Sequence, residues 1–255
     1  MPSVYTHFLV ARQSFLAFPP RIQNKIKPHL NLYYFGAQGA DFCFFYKFLH
    51  RKNGNLGSYL HRKGGFITFQ TLHKFAAQSP EIFAYAAGYI CHYTADSTLH
   101  PFIYKVSKKS LLIHSRLESA LDYQYGKQYS KDAREDYKLY FRPQLSQTDK
   151  QSLYNVYTEI AQSCGFPPLI KPAFFRAISI FNAYLPLSFT FLTQQRIPLL
   201  KNAFGEEYPQ KISSLLLSIC AHTRVLTREF LYAIETAAPL PKFPFNKSFL
   251  TGKQI

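Results

Sequence analysis

His92, Asp96 and His100 fall at i, i+4 and i+8 in the stretch GYICHYTADSTLHP, and fourteen residues after His100 the segment HSRLE repeats the four-residue interval with His114 and Glu118. On a helix, side chains four apart project from one face. Three imidazoles and two carboxylates would then converge from two helices. That donor set suits zinc, which takes His nitrogen and carboxylate oxygen. A lone histidine on an apolar helix is ordinarily a packed core residue, and a lone His-x-x-x-Asp pair ordinarily makes a hydrogen bond. Here three histidines crowd one short stretch, each four residues from a carboxylate.

Three further residues gain meaning from this constellation. His7 lies in the opening segment two residues after Tyr5, Asp41 follows the turn FGAQGAD, and His61 sits in SYLHRKGG. Taken singly, an Asp after a glycine turn is ordinarily a cap or turn residue, and a His in a basic loop is ordinarily solvated. A zinc ion needs about four ligands, however, and His92 with Asp96 supplies only part of such a set. His29, His50, His73 and His222 have no carboxylate at helical spacing and read as structural or surface residues. Cys43, Cys91, Cys164 and Cys220 have no CxxC spacing, which excludes a thiolate zinc motif. Cys91 reads as a small buried residue.

The elements that must position these groups are helices. Alternating apolar runs are few and none flanks an Asn-Gly hairpin, whereas helical periodicity is widespread. Helices are expected near residues 4–17, around Asp41, and near 66–78, 80–104, 110–130, 147–164, 171–195 and 207–236. Pro80 suits a helix start, and Pro101 is expected to kink or end the central helix. Residues 51–65 read as a Gly-rich basic loop. The uncharged run from Ala177 to Gln195 is about long enough to span a bilayer, but its polar residues favour a buried helix kinked at Pro186. The expected architecture is all-α, with metal ligands projecting inward from facing helices. A single domain over residues 1–237 is expected, with 238–255 as a surface-hugging or mobile tail.

Length and composition agree with a folded globular protein. At 255 residues the chain can bury a sizeable core, and 47% hydrophobic against 17% charged residues argues against disorder. Phe (25) and Tyr (19) are abundant, which suits bulky helix packing or an apolar ligand cavity. A net charge of +16 favours anionic partners: phospholipid headgroups, nucleic acid or other phosphoesters. The nearest approach to a basic patch is Lys105, Lys108 and Lys109, beside the candidate metal helices. The N-terminal segment has neither a basic n-region nor a long apolar h-region, so a cytoplasmic location without a signal peptide is expected, compatible with peripheral membrane contact.

Taken together, MPSVYTHF, GAQGADFCFFYK, LHRK, GYICHYTADSTLHP and HSRLE resemble the bacterial zinc-dependent phospholipase C family, whose all-α fold is shared with P1-type nucleases. The resemblance covers about the first 125 residues. It implies two to three zinc ions. Asp41, His61, His92 and Asp96 would hold one. His100, His114 and Glu118, with a water, would hold a second. His7, the terminal amine and carbonyl of Pro2 after removal of Met1, and Asp96 as a shared carboxylate would hold a third. The chain departs from the secreted members in having no Trp to begin the mature protein and in a shorter interval from Asp96 to His100.

Phosphodiester hydrolysis is therefore the expected activity, with Asp41 as the carboxylate that orients the attacking water and Lys105 or Arg116 contacting phosphate. A phospholipid is the expected substrate. Phe42, Phe44, Phe45 and Tyr46 would suit acyl chains, but stacked bases equally well. The alternatives are a P1-type nuclease or nucleotide phosphoesterase, and a non-catalytic, metal-stabilised binding module.

Overall fold

Residues 82–97 are buried without interruption, and that one helix organises the molecule. It is α6 (Pro80–Ser107) in a computed structural model that describes residues 4–46, 55–108, 110–129, 144–188 and 197–254. Ser79 caps it by accepting from the Ile82 amide at 3.2 Å, and Pro80 occupies the first turn, where a missing N–H costs nothing. A helix that is apolar all round has no solvent face and must be surrounded. The surrounding helices are α1 (Val4–Ala17), α3 (Leu30–Gly36), α5 (Gly65–Ala76), α7 (Leu111–Tyr129) and α11 (Tyr208–Glu235), all packed on α6. The remaining helices are α2 (Pro20–Ile26), α4 (Leu56–Arg62), α8 (Gln147–Ser163), α9 (Lys171–Ser188) and α10 (Ile197–Phe204). Short 3-10 turns occupy Lys27–His29 and Asp41–Phe44. Among the described residues every regular element is helical, as expected for the all-α class.

Several local expectations are corrected. Asp41 sits on a single 3-10 turn rather than inside a helix, because the chain has only just left the tight turn at Gly39 (φ +60°). The basic stretch 51–65 contains α4, started by Asn55, whose side chain accepts from the Ser58 amide at 3.0 Å. Its apolar face buries Leu56 and Leu60, and this carries His61 inside rather than into solvent. Pro101 does not end α6, which continues to Ser107 before Lys108 (φ +50°) reverses the chain into α7. α9 runs through Pro186 with only one face buried, Ile178, Phe181 and Leu185, while Ile180 is exposed. Residues 189–195 of that run lie outside the described residues. No helix among the described residues is long and apolar enough to cross a membrane.

The segment after α11 also differs from expectation. Phe245 and Phe249 are buried in the common core, and the Tyr93 hydroxyl donates to the Pro244 carbonyl at 2.7 Å. The prolines conceal this from a periodicity argument, because an irregular segment can bury side chains singly.

Candidate metal centre

α1, the Asp41 turn, α4, α6 and α7 deliver eight predicted residues to one interior region, as three trios whose ligand atoms lie within 4.8 Å of one another: His7, His92 and Asp96; Asp41, His61 and His92; His100, His114 and Glu118. His92 belongs to two of them. Asp96 divides its oxygens: Oδ1 is 3.2 Å from His7 Nε2, while Oδ2 is 3.4 Å from His92 Nε2, 3.6 Å from His100 Nδ1 and 4.0 Å from His61 Nε2. His61 Nε2 is 3.0 Å from Asp41 Oδ1 and 3.4 Å from His92 Nε2. Glu118 Oε1 is 3.2 Å from His100 Nε2 and 2.9 Å from His114 Nε2. Pro2 and Lys109 lie outside the described residues, as does His50. Lys105 and Arg116 remain exposed on the surface.

These spacings suit zinc. With bonds of about 2.0–2.2 Å, the edges of a tetrahedral coordination shell measure about 3.3–3.6 Å, and the separations above bracket that value. Two ring nitrogens facing each other, as in His61 and His92, need a proton or a cation between them. Asp41 Oδ2, His7 Nδ1 and His92 Nδ1 are buried and have no hydrogen-bond partner among the described residues. Such orphaned groups are costly unless something polar fills the space beside them.

The outer contacts orient the rings. His61 Nδ1 donates to the Gly57 carbonyl at 2.7 Å within its own helix, leaving Nε2 as the inward lone pair. His100 Nδ1 meets the Phe249 carbonyl at 2.8 Å. Gly39 lets the turn before Asp41 lie directly on His92: a Cβ there would sit 2.1 Å from His92 Cδ2. The Tyr104 ring packs on both His100 and His114.

Burial opposes charge on each of these groups, and the neighbours decide where each settles. Asp96 is held well below the usual carboxylate range because His100, His92 and His7 outweigh its burial. Glu118 is likewise held low against its burial, with His114 and His100 beside it. His7 and His61 are raised against burial by Asp96 and Asp41 respectively, and His100 is pushed up to about 9 against burial by Asp96 and Glu118. For His92 burial prevails over Asp96, and the ring drops to about 4. The two carboxylates are therefore anionic and His92 is neutral at ordinary pH, the states that metal ligation requires.

The aromatic residues divide by role. Phe42 is a core residue packed on Phe35, Tyr157 and Phe174, not a wall of the site, and Tyr46 is buried and accepts from the Ile170 amide at 3.0 Å. Phe44 lies against His61, and half-buried Phe45 packs on Tyr184. Burial raises the Tyr184 hydroxyl, helped by the charges of Glu118, Asp122 and Asp41, so Tyr184 stands within the field of the centre.

Sequence reasoning missed Asp122, Arg62 and Phe249. Asp122 extends the His114–Glu118 spacing by one more turn and was legible in that way. Arg62 follows His61 and bears on Tyr104, whose hydroxyl burial raises, with Glu118 and Asp96 adding and Arg62 opposing. Phe249 carries no local signal.

No curated protein and no solved structure matches this chain. A sequence-family profile for zinc-dependent phospholipase C matches residues 6–164, a span that takes in all eight clustered candidate ligands. This chain belongs to the zinc-dependent phospholipase C family.

Proposed function

We propose that the protein is a zinc-dependent hydrolase of phosphodiester bonds, acting on a phospholipid. The observation that carries this reading is the contiguous set of three trios joined through His92 and Asp96. Asp41, His61, His92 and Asp96 would hold one zinc, and His100, His114 and Glu118 a second. His7 and Asp96 would hold a third, with Pro2 as the expected terminal ligand. Zinc bound there supplies Lewis-acid polarisation of a phosphoryl oxygen and makes water acidic enough to act as a nucleophile near neutral pH.

The chain's own residues do the rest. The unpartnered Oδ2 of Asp41 is available to orient the attacking water and take its proton. Arg62 and Lys105 are exposed cations near the centre, suited to meeting substrate phosphate. Half-buried Phe44 packs on His61 and half-buried Phe45 on Tyr184, and rings at these positions would suit acyl chains. The net charge of +16 favours approach to an anionic membrane surface.

The same charge favours a second reading, a P1-type nuclease or nucleotide phosphoesterase. Zinc-loaded protein offered a short-chain phosphatidylcholine and a single-stranded oligonucleotide in parallel decides between them. Release of phosphocholine supports the phospholipase reading. Cleavage of the oligonucleotide alone replaces it with the nuclease. Full zinc loading with turnover of neither leaves a metal-stabilised binding module.

A further inference from the structure

Residue 249 touches the centre with its amide, its carbonyl and its ring at once. Its N–H donates to the His61 carbonyl at 3.2 Å, and its C=O accepts from His100 Nδ1 at 2.8 Å. Its ring, 1% exposed, packs on His61, His92, Tyr89 and Tyr93 with centroids 5.1–6.0 Å apart. Two ligand rings from different helices thus rest on one side chain.

The segment is built to stay there. Tyr93 ties it to α6 twice, donating to the Pro244 carbonyl at 2.7 Å and accepting from the Lys247 amide at 2.9 Å. Residues 248–253 close on themselves, with Ser248 N–H donating to the Lys253 carbonyl at 2.8 Å and Gly252 N–H to the Ser248 carbonyl at 2.9 Å. Gly252 (φ +65°) presses on α6, where a Cβ would lie 2.5 Å from the Ser97 carbonyl oxygen. No side chain fits at that contact without displacing the turn.

The chemical consequence concerns His100. A carbonyl at Nδ1 holds the ring as the Nδ1–H tautomer and turns the Nε2 lone pair toward Glu118 and His114. His61 obtains the same restraint from Gly57, one turn back in α4. His100 takes its carbonyl instead from Phe249, far along the chain.

We infer that Phe249 is a positioning residue of the metal centre, and that the segment 244–252, beyond the part of the chain that matches the family, completes the outer shell of two zinc sites. The carbonyl sets the His100 tautomer, and the ring fixes the planes of His61 and His92. This rests on the reading of those histidines as zinc ligands.

Nitrogen-15 histidine spectra of the full-length, metal-free protein, taken above pH 9 where the His100 ring is neutral, read the tautomer directly, and chelator competition reads zinc affinity. Wild type is expected to show His100 as Nδ1–H. Gly252→Val, which lifts the turn off Ser97, is expected to release that tautomer and weaken zinc binding about 10- to 100-fold. Phe249→Leu keeps the carbonyl, so the tautomer survives while affinity falls less. A wild-type His100 protonated on Nε2 overturns the inference whether or not the variants fold. So does a folded Gly252→Val protein with unchanged tautomer and affinity. Wild type that shows the Nδ1–H tautomer but takes up no zinc would instead refute the ligand assignment, leaving the contact intact.

Discussion

The Asp122 carboxylate closes the first turn of α1 by accepting from Thr6 twice, from the amide at 2.8 Å and from the hydroxyl at 2.7 Å. Its other oxygen accepts from the Tyr5 amide at 3.1 Å. Every helix leaves N–H groups without partners at its start, and an anion is favoured there. Asp122 lies one turn beyond Glu118 on α7, so one helix face carries both a candidate ligand and the anchor of the helix that presents His7. Asp122→Ala should cost about 3 kcal/mol, because buried donors lose a charged acceptor. Asp122→Asn should cost less, since one carbonyl oxygen remains. Urea denaturation of the two variants checks this, and a loss below about 0.5 kcal/mol for the alanine variant would contradict the anchoring role.

Asp96 and His114 should differ in how much metal they control. Asp96 faces His7 with one oxygen and His92, His61 and His100 with the other, whereas His114 belongs to one trio, with His100 and Glu118. Asp96→Ala should lose more than about one zinc per chain, and His114→Ala about one. The His114 side chain is 12% exposed and His92 0%, so a chelator should strip the His114 site first. Elemental analysis of purified variants gives the stoichiometry. Equal losses in the two variants would break the assignment of Asp96 as the shared carboxylate.

The pH dependence follows from two histidines shifted in opposite directions. His100 is raised from 6.5 to about 9, so in the metal-free protein its stabilising charge is fully present below 6.5 and lost as pH rises toward 9. His92 is lowered from 6.5 to about 4, so its contribution is present above 6.5 and lost as pH falls toward 4. Metal-free protein should therefore be most stable between these windows, which thermal denaturation across pH will test. Near neutral pH, zinc must displace the His100 proton but none from His92. Calorimetry in buffers of different ionisation enthalpy should detect that release and see it vanish above about 9. Binding heats that are independent of buffer would refute it.

Gly39→Ala should damage the centre from outside the ligand set. The left-handed backbone there costs a non-glycine residue about 1–2 kcal/mol, and the added Cβ collides with the His92 ring. Zinc affinity should fall by about tenfold or more. Gly165→Ala is the control, with φ +73° but nothing within 4 Å, so it should cost stability without changing zinc binding. Similar zinc affinities for the two variants would show that Gly39 matters only through its backbone.

The residues on α6 and α7 were legible because helical spacing is a local property: His92, Asp96 and His100, and His114 with Glu118, share faces whatever else the chain does. The all-α class was legible for the same reason. His7, Asp41 and His61 have no such partners nearby, and the ligands still missing from a zinc shell, with the resemblance to a family, drew them in. The tertiary structure decided that they meet, since α4 folds where a basic loop was expected and turns His61 inward. It also decided that Asp122 caps a helix more than a hundred residues away and that Phe249 packs on the His61 and His92 rings. Periodicity reports which side chains share an element. Which elements share a core depends on packing between distant segments, and no local pattern in a proline-bearing tail announces that its carbonyl will face a histidine.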